Sequence, residues 1–89
     1  MSVMGSRERH AIIGTRRGRD MTQAVLRELH DGRLDRNLSG RTVGAALGIS
    51  PSEYSRIERG LTRGVTIEQL TVLLAAVGLD LSVRAYPGG

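Results

Sequence analysis

The chain has 89 residues, of which 39% are hydrophobic, with no Phe, Trp or Cys and a formal net charge of +4. That length bounds one small domain with an arm or tail at most, and a core of Leu, Ile, Val, Ala and Met suits small, closely packed helices. The lack of Cys excludes disulfides, zinc–thiolate sites and thiol nucleophiles.

Other exclusions are as direct. His10 and His30 stand in unrelated contexts, so no metal or cofactor is expected. No apolar run is long enough to span a membrane, and the first residues lack the apolar core of a secretion signal. A soluble cytoplasmic protein is the expectation. No Ser/His/Asp set or paired-carboxylate cleft stands in a usable context. Gly14-Thr15-Arg16-Arg17-Gly18 resembles a phosphate loop only superficially, without the Lys, the preceding strand or the spacing. Catalysis is not expected. All 13 cations are Arg, whose planar fork of donors suits phosphates and guanine edges.

Residues 1–20 show no sustained periodicity and carry five Arg against Glu8 and Asp20. They read as a flexible basic arm, with Arg16, Arg17 and Arg19 as candidate nucleic-acid contacts. Asp20 then caps a first helix, with Gln23 as its capping-box partner, and Val25, Leu26, Leu29, Arg33 and Leu34 form its stripe as far as about Arg36. Gly32 weakens that helix by roughly 1 kcal/mol relative to Ala. Leu38 anchors the next turn. Ser39 caps a second helix, Arg41 to Leu47, with Val43, Ala46 and Leu47 apolar and Gly48 as its left-handed stop.

Ser50-Pro51-Ser52-Glu53 opens a third helix, with Ser50 as cap, Pro51 at the first helical position and Glu53 closing a capping box. It ends near Arg59 at Gly60. Thr66 to Gln69 repeats the device for a fourth helix, with Ile67, Leu70, Leu73, Leu74 and Val77 on one face and Gly78 after it. The period then changes. Leu79, Leu81, Val83 and Ala85 alternate with Asp80, Ser82, Arg84 and Tyr86, as in a half-buried strand, before a Pro87-Gly88-Gly89 loop.

Two short helices joined through Gly48-Ile49-Ser50 have the spacing of a helix-turn-helix. Gly44, Ala45 and Ala46 allow a tight crossing, and Ile49 plugs the space under the turn. At 100° per residue, Tyr54 and Ile57 of the third helix face the core. Ser52, Arg56, Arg59 and, at the edge, Ser55 face outward. Small hydroxyls near the start of a helix and Arg further along suit entry into a major groove. Glu53 reads first as a cap and second as an acceptor for cytosine. Glu58 reads as structural, with Arg33 as its partner.

The segment from Leu38-Ser39 to Gly60, with Gly48-Ile49-Ser50, Ser55-Arg56-Ile57-Glu58-Arg59-Gly60 and the following Thr66-Ile67-Glu68-Gln69-Leu70, resembles the Xre family of phage-repressor-type DNA-binding domains. The likeness covers roughly residues 22–78. It implies an all-α fold, a compact four- to five-helix bundle with a helix-turn-helix, to which the periodicity adds one short C-terminal β-strand. It also implies a third helix that reads double-stranded DNA. Carried over by position, Pro51, Ser52, Glu53 and Arg56 fall at base-reading places, and Ser55 and Arg59 near the backbone. Ser50, Arg41 and Thr42 complete the candidate contacts. Two departures stand out. Gly40 replaces a Gln that helps fix a phosphate in the family, and Pro51 replaces a frequent polar base reader.

The domains are therefore expected as a basic arm over 1–20, the DNA-binding domain over 21–78 and a C-terminal strand and tail over 79–89. One strand needs a mate. Leu79, Leu81, Val83 and Ala85 would pair with a second copy, an arrangement similar to that of antitoxin repressors that partner kinase-type toxins. A homodimer would set two reading helices about 34 Å apart on a palindrome, and the expected role is a transcriptional repressor. Two other readings stay open: an antitoxin or adaptor whose main role is holding a partner protein (a toxin or another regulator), and the DNA-binding module of a longer chain.

Overall fold

Each helix begins and ends on local chemistry. In the computed structural model, which describes residues 5–87, α1 runs Ser6–Asp35, α2 Gly40–Ala46, α3 Pro51–Glu58 and α4 Ile67–Ala76. The Ser39 and Ser50 hydroxyls accept from the Thr42 and Glu53 amides at 3.0 and 3.1 Å. Thr66 and Gln69 close a reciprocal capping box, so donors left over at each helix start are satisfied. Pro51 sits in the first turn of α3 as expected.

The four C-termini share one device. After each helix a residue with positive φ (Asn37, Gly48, Gly60 or Gly78) is followed by an apolar residue whose amide reaches back to the last turn. These are Leu38 to Arg33, Ile49 to Gly44, Leu61 to Arg56 and Leu79 to Leu74. This is the Schellman arrangement. Leu38, Ile49 and Leu79 thereby pack against the core, so these three turns are fixed by a hydrogen bond and an apolar anchor together, while Leu61 stays exposed.

Leu26, Leu29, Val43, Tyr54, Leu70, Leu73, Leu74 and Val77 form the core. Each contributes on the order of 1.5–3 kcal/mol by burial. α3 lies between α1 and α2, and α4 closes the bundle against α1 and α2.

Several expectations are corrected. The described part of the anticipated arm, from Ser6 to Asp20, is the first half of a continuous 30-residue helix, and Asp20 lies inside it. The start is set by Glu8, whose carboxylate accepts from the Gly5 amide at 3.0 Å. This half packs on nothing and so has no apolar stripe to betray it. Residues 1–4 of that expectation lie outside the described residues. Leu34 and Ile67 are 52% and 60% exposed, and Gly32 takes the buried place on α1 instead. A Cβ at Gly32 would stand 2.8 Å from Leu79 Cδ1, so the missing side chain makes room for the C-terminal segment.

At the α2–α3 crossing the close approach is made by Gly40 and Gly44, one turn apart, whose Cβ positions lie 3.1 and 3.3 Å from Tyr54 atoms. Ala45 and Ala46 are exposed. Residues 79–87 form no strand within the chain. Leu79 and Leu81 rest on the core, but beyond the Leu79 amide no backbone group of this segment has a backbone partner among the described residues. A ladder needs a second strand, and there is none among the described residues. Gly88 and Gly89 of the expected tail lie outside the described residues.

Candidate nucleic-acid interface

The inner face of α3 is fixed before its outer face can do anything. Tyr54 is buried in the core and Ile57 packs against it. Glu58, at the C-terminal end, accepts from Arg33 Nε and Nη2, both at 2.9 Å, while Arg33 Nη1 donates to the Leu38 carbonyl at 3.0 Å. One guanidinium thus joins α1, the turn before α2 and α3, as the charge pattern predicts for Arg33. His30 Nδ1 also meets Glu58.

Burial alone would push the Glu58 carboxyl upward. The favourable fields of Arg33, Tyr54 and His30 overcome that and hold it at about 2, below its ordinary 4.5. Glu58 in turn raises the Arg33 pKa. Burial pushes the Tyr54 hydroxyl well above the ordinary tyrosine range, with the Glu58 carboxylate adding to it. That hydroxyl has no partner at hydrogen-bond geometry among the described residues.

The outer face carries what was expected there. Ser52, Ser55, Arg56 and Arg59 are all exposed. The ion pairs among the described residues are His30–Glu58 and Arg33–Glu58, so Arg41, Arg56, Arg59 and Arg63 carry unpaired charge. Unpaired guanidinium groups at the surface are well suited to phosphate or guanine. Ser50 is engaged in its cap. The Thr42 hydroxyl lies 2.9 Å from Ser39 Oγ, and Arg41 beside it is exposed. The Glu53 amide donates to Ser50 Oγ without its side chain closing the expected box, which leaves its exposed carboxylate clear of the cap.

Arg16, Arg17 and Arg19 stand on the projecting half of α1, separate from this face. The sequence reading also missed Arg63. With Leu61 and Thr62 it borders a shallow depression shared by Ser52, Glu53 and Arg56. A cation three residues beyond the Gly60 stop was the available signal.

A short helix locked on its inner side, presenting hydroxyls and unpaired Arg outward and preceded by a glycine-stopped partner helix, defines a helix-turn-helix DNA-binding domain. The helix-turn-helix family model matches residues 29–83, and the chain belongs to that family, a DNA-binding and regulatory family rather than a catalytic one. No curated protein and no solved structure matches it. Among the described residues no helix is long and apolar enough to cross a membrane.

Proposed function

We propose that the chain is a sequence-specific transcriptional repressor that binds a palindromic duplex as a homodimer. The observation that carries the reading is the two-sidedness of α3, bonded through Glu58 and packed through Tyr54 on one side and bare on the other. In this reading Ser52, Glu53 and Arg56, with Pro51 packed against the groove wall, meet base edges, Arg56 taking guanine O6 and N7 with its fork. Ser50, Ser55 and Arg59 lie along the sugar–phosphate backbone. Arg41 and Thr42, at the start of α2, take a phosphate in place of the Gln found elsewhere in the family.

The dimer rests on the segment after α4. Leu79 and Leu81 lie on the core, Val83 is 56% exposed, and the backbone groups beyond the Leu79 amide have no backbone partner among the described residues. Pairing Leu79, Leu81, Val83 and Ala85 with the same residues of a second copy would satisfy those groups and cover Val83 across a two-fold axis.

Selection from a pool of random duplexes, with the mass of the complex measured in solution, tests both parts. The expected product is a palindrome with half-sites one helical turn apart, bound by two chains. An asymmetric site bound by one chain overturns the dimer, and no enrichment at low salt overturns DNA recognition itself.

A further inference from the structure

The first half of α1 is long, charged and uncovered. Every residue from Gly5 to Arg17, and again from Arg19 to Met21, is exposed. At 100° per residue, Arg9, Ile12, Arg16, Arg19, Gln23, Arg27 and His30 fall within about 40° of one line along the helix. Two members of that line touch the end of α3. The His30 ring meets Glu58, and the Gln23 amide occupies the place a Cβ on Gly60 would take. The line therefore starts at the C-terminal end of the reading helix. Its Arg residues continue outward, Arg9 lying about 21 Å beyond Gln23.

None of these guanidinium groups is in an ion pair among the described residues. The nearest carboxylates lie about 60–80° off the line: Glu8, engaged with the Gly5 amide, Asp20 and Asp31. Arg7 and Arg17 stand well round the helix, about 160° and 120° from the line, so Arg17, a contact expected from the sequence, is assigned none in this arrangement.

We propose that Arg9, Arg16, Arg19 and Arg27 form a second phosphate-binding stripe, which grips the duplex backbone beside the site read by α3. The proposal rests on α3 being a DNA reader and adds a flanking contact to it. Four cations spread over about 27 Å of helix match the line of phosphates on a duplex, which carries one charge per about 1.7 Å of its axis. A helix–helix seam would need apolar residues at regular heptad places. Between Ser6 and Asp20 the large apolar side chains are Ile12 and Ile13, adjacent in sequence.

Two double variants of the full chain separate position from charge. Arg9→Gln with Arg16→Gln removes two charges from the stripe, and Arg7→Gln with Arg17→Gln removes two from the other side. Gln keeps the helix, which circular dichroism verifies. Affinity for a 30-base-pair mixed-sequence duplex is followed from about 50 to 200 mM salt. The stripe variant is expected to bind about 10-fold more weakly near 0.1 M salt and to lower the log–log salt slope by about 1–2. The other variant should stay within about twofold of the parent.

Equal weakening by both variants, or by neither, overturns the stripe while parental binding leaves the reading of α3 intact. Loss of dimer mass in the stripe variant with an unchanged salt slope overturns it in favour of self-association. A parent that binds no duplex at low salt overturns both.

Discussion

Arg33 and Glu58 are joined by two parallel hydrogen bonds, Nε to Oε2 and Nη2 to Oε1, each 2.9 Å long. Their side chains are 15% and 8% exposed, so water does little to weaken the pair. The pair sets the angle at which α3 stands on the bundle, and with it the direction in which Arg56 and Arg59 point.

Removing one partner leaves the other charge buried and unmatched, which costs about 3–5 kcal/mol. That is a large share of the roughly 5–15 kcal/mol holding a small domain together. Urea unfolding of Glu58→Ala and Arg33→Ala should each show a loss of this size. Arg33→Lys should lose about 1–2 kcal/mol, because an ammonium cannot bridge both carboxylate oxygens and the Leu38 carbonyl in one plane. Losses below about 1 kcal/mol for both alanine variants would mean that packing alone orients α3.

The same pair predicts an acid limb in stability. With the folded Glu58 held at about 2 against an ordinary 4.5, the unfolded chain binds the proton first as pH falls. The stabilisation is complete above the unfolded value and is lost as pH drops from about 4.5 through 2, amounting to roughly 3 kcal/mol. Unfolding free energies measured across that window should fall steeply for the parent and much less for Glu58→Gln. Parallel curves would show that another carboxylate sets the limb.

Two glycines should respond to Ala in opposite ways. At Gly44 a Cβ would stand 3.2 Å from the Ile49 carbonyl oxygen and 3.3 Å from Tyr54 Cβ, with nothing flexible to yield. Overpacking of about 1–3 kcal/mol then outweighs the roughly 1 kcal/mol gain in helix propensity. At Gly14 nothing lies within 4 Å, so Gly14→Ala should raise helix content by circular dichroism. The melting temperature should change little, because that half of α1 contacts no other element. A Gly44→Ala variant as stable as the parent would refute the close crossing.

What could be read beforehand was whatever chemistry is local. Ser39, Ser50-Pro51, Thr66 with Gln69, and the stops at Gly48, Gly60 and Gly78 each declare themselves within a few residues. The Arg33–Glu58 pair was legible as well, because a charge on the inner flank of α3 demands a partner. The first half of α1 was not, since periodicity reports packing and this half has none. Its Arg9, Arg16 and Arg19 are dispersed at helical spacing, which marks a line only once the segment is known to be helical. The Gly40 and Gly44 crossing was present as a one-turn spacing but was masked by the neighbouring Ala45 and Ala46. The alternation over 79–86 shows a preference, and no backbone pairing among the described residues satisfies it.

Whether the bare face of α3 reads DNA turns on Arg56. Its side chain takes no part in any ion pair among the described residues, so Arg56→Ala should leave urea stability within about 0.5 kcal/mol of the parent. Affinity is then measured by titration against the duplex selected by the parent and against the same duplex with one guanine replaced. A loss of about 1–3 kcal/mol is expected on the selected duplex, with little further discrimination at the replaced position. A variant that binds both duplexes as the parent does would contradict DNA reading by this face.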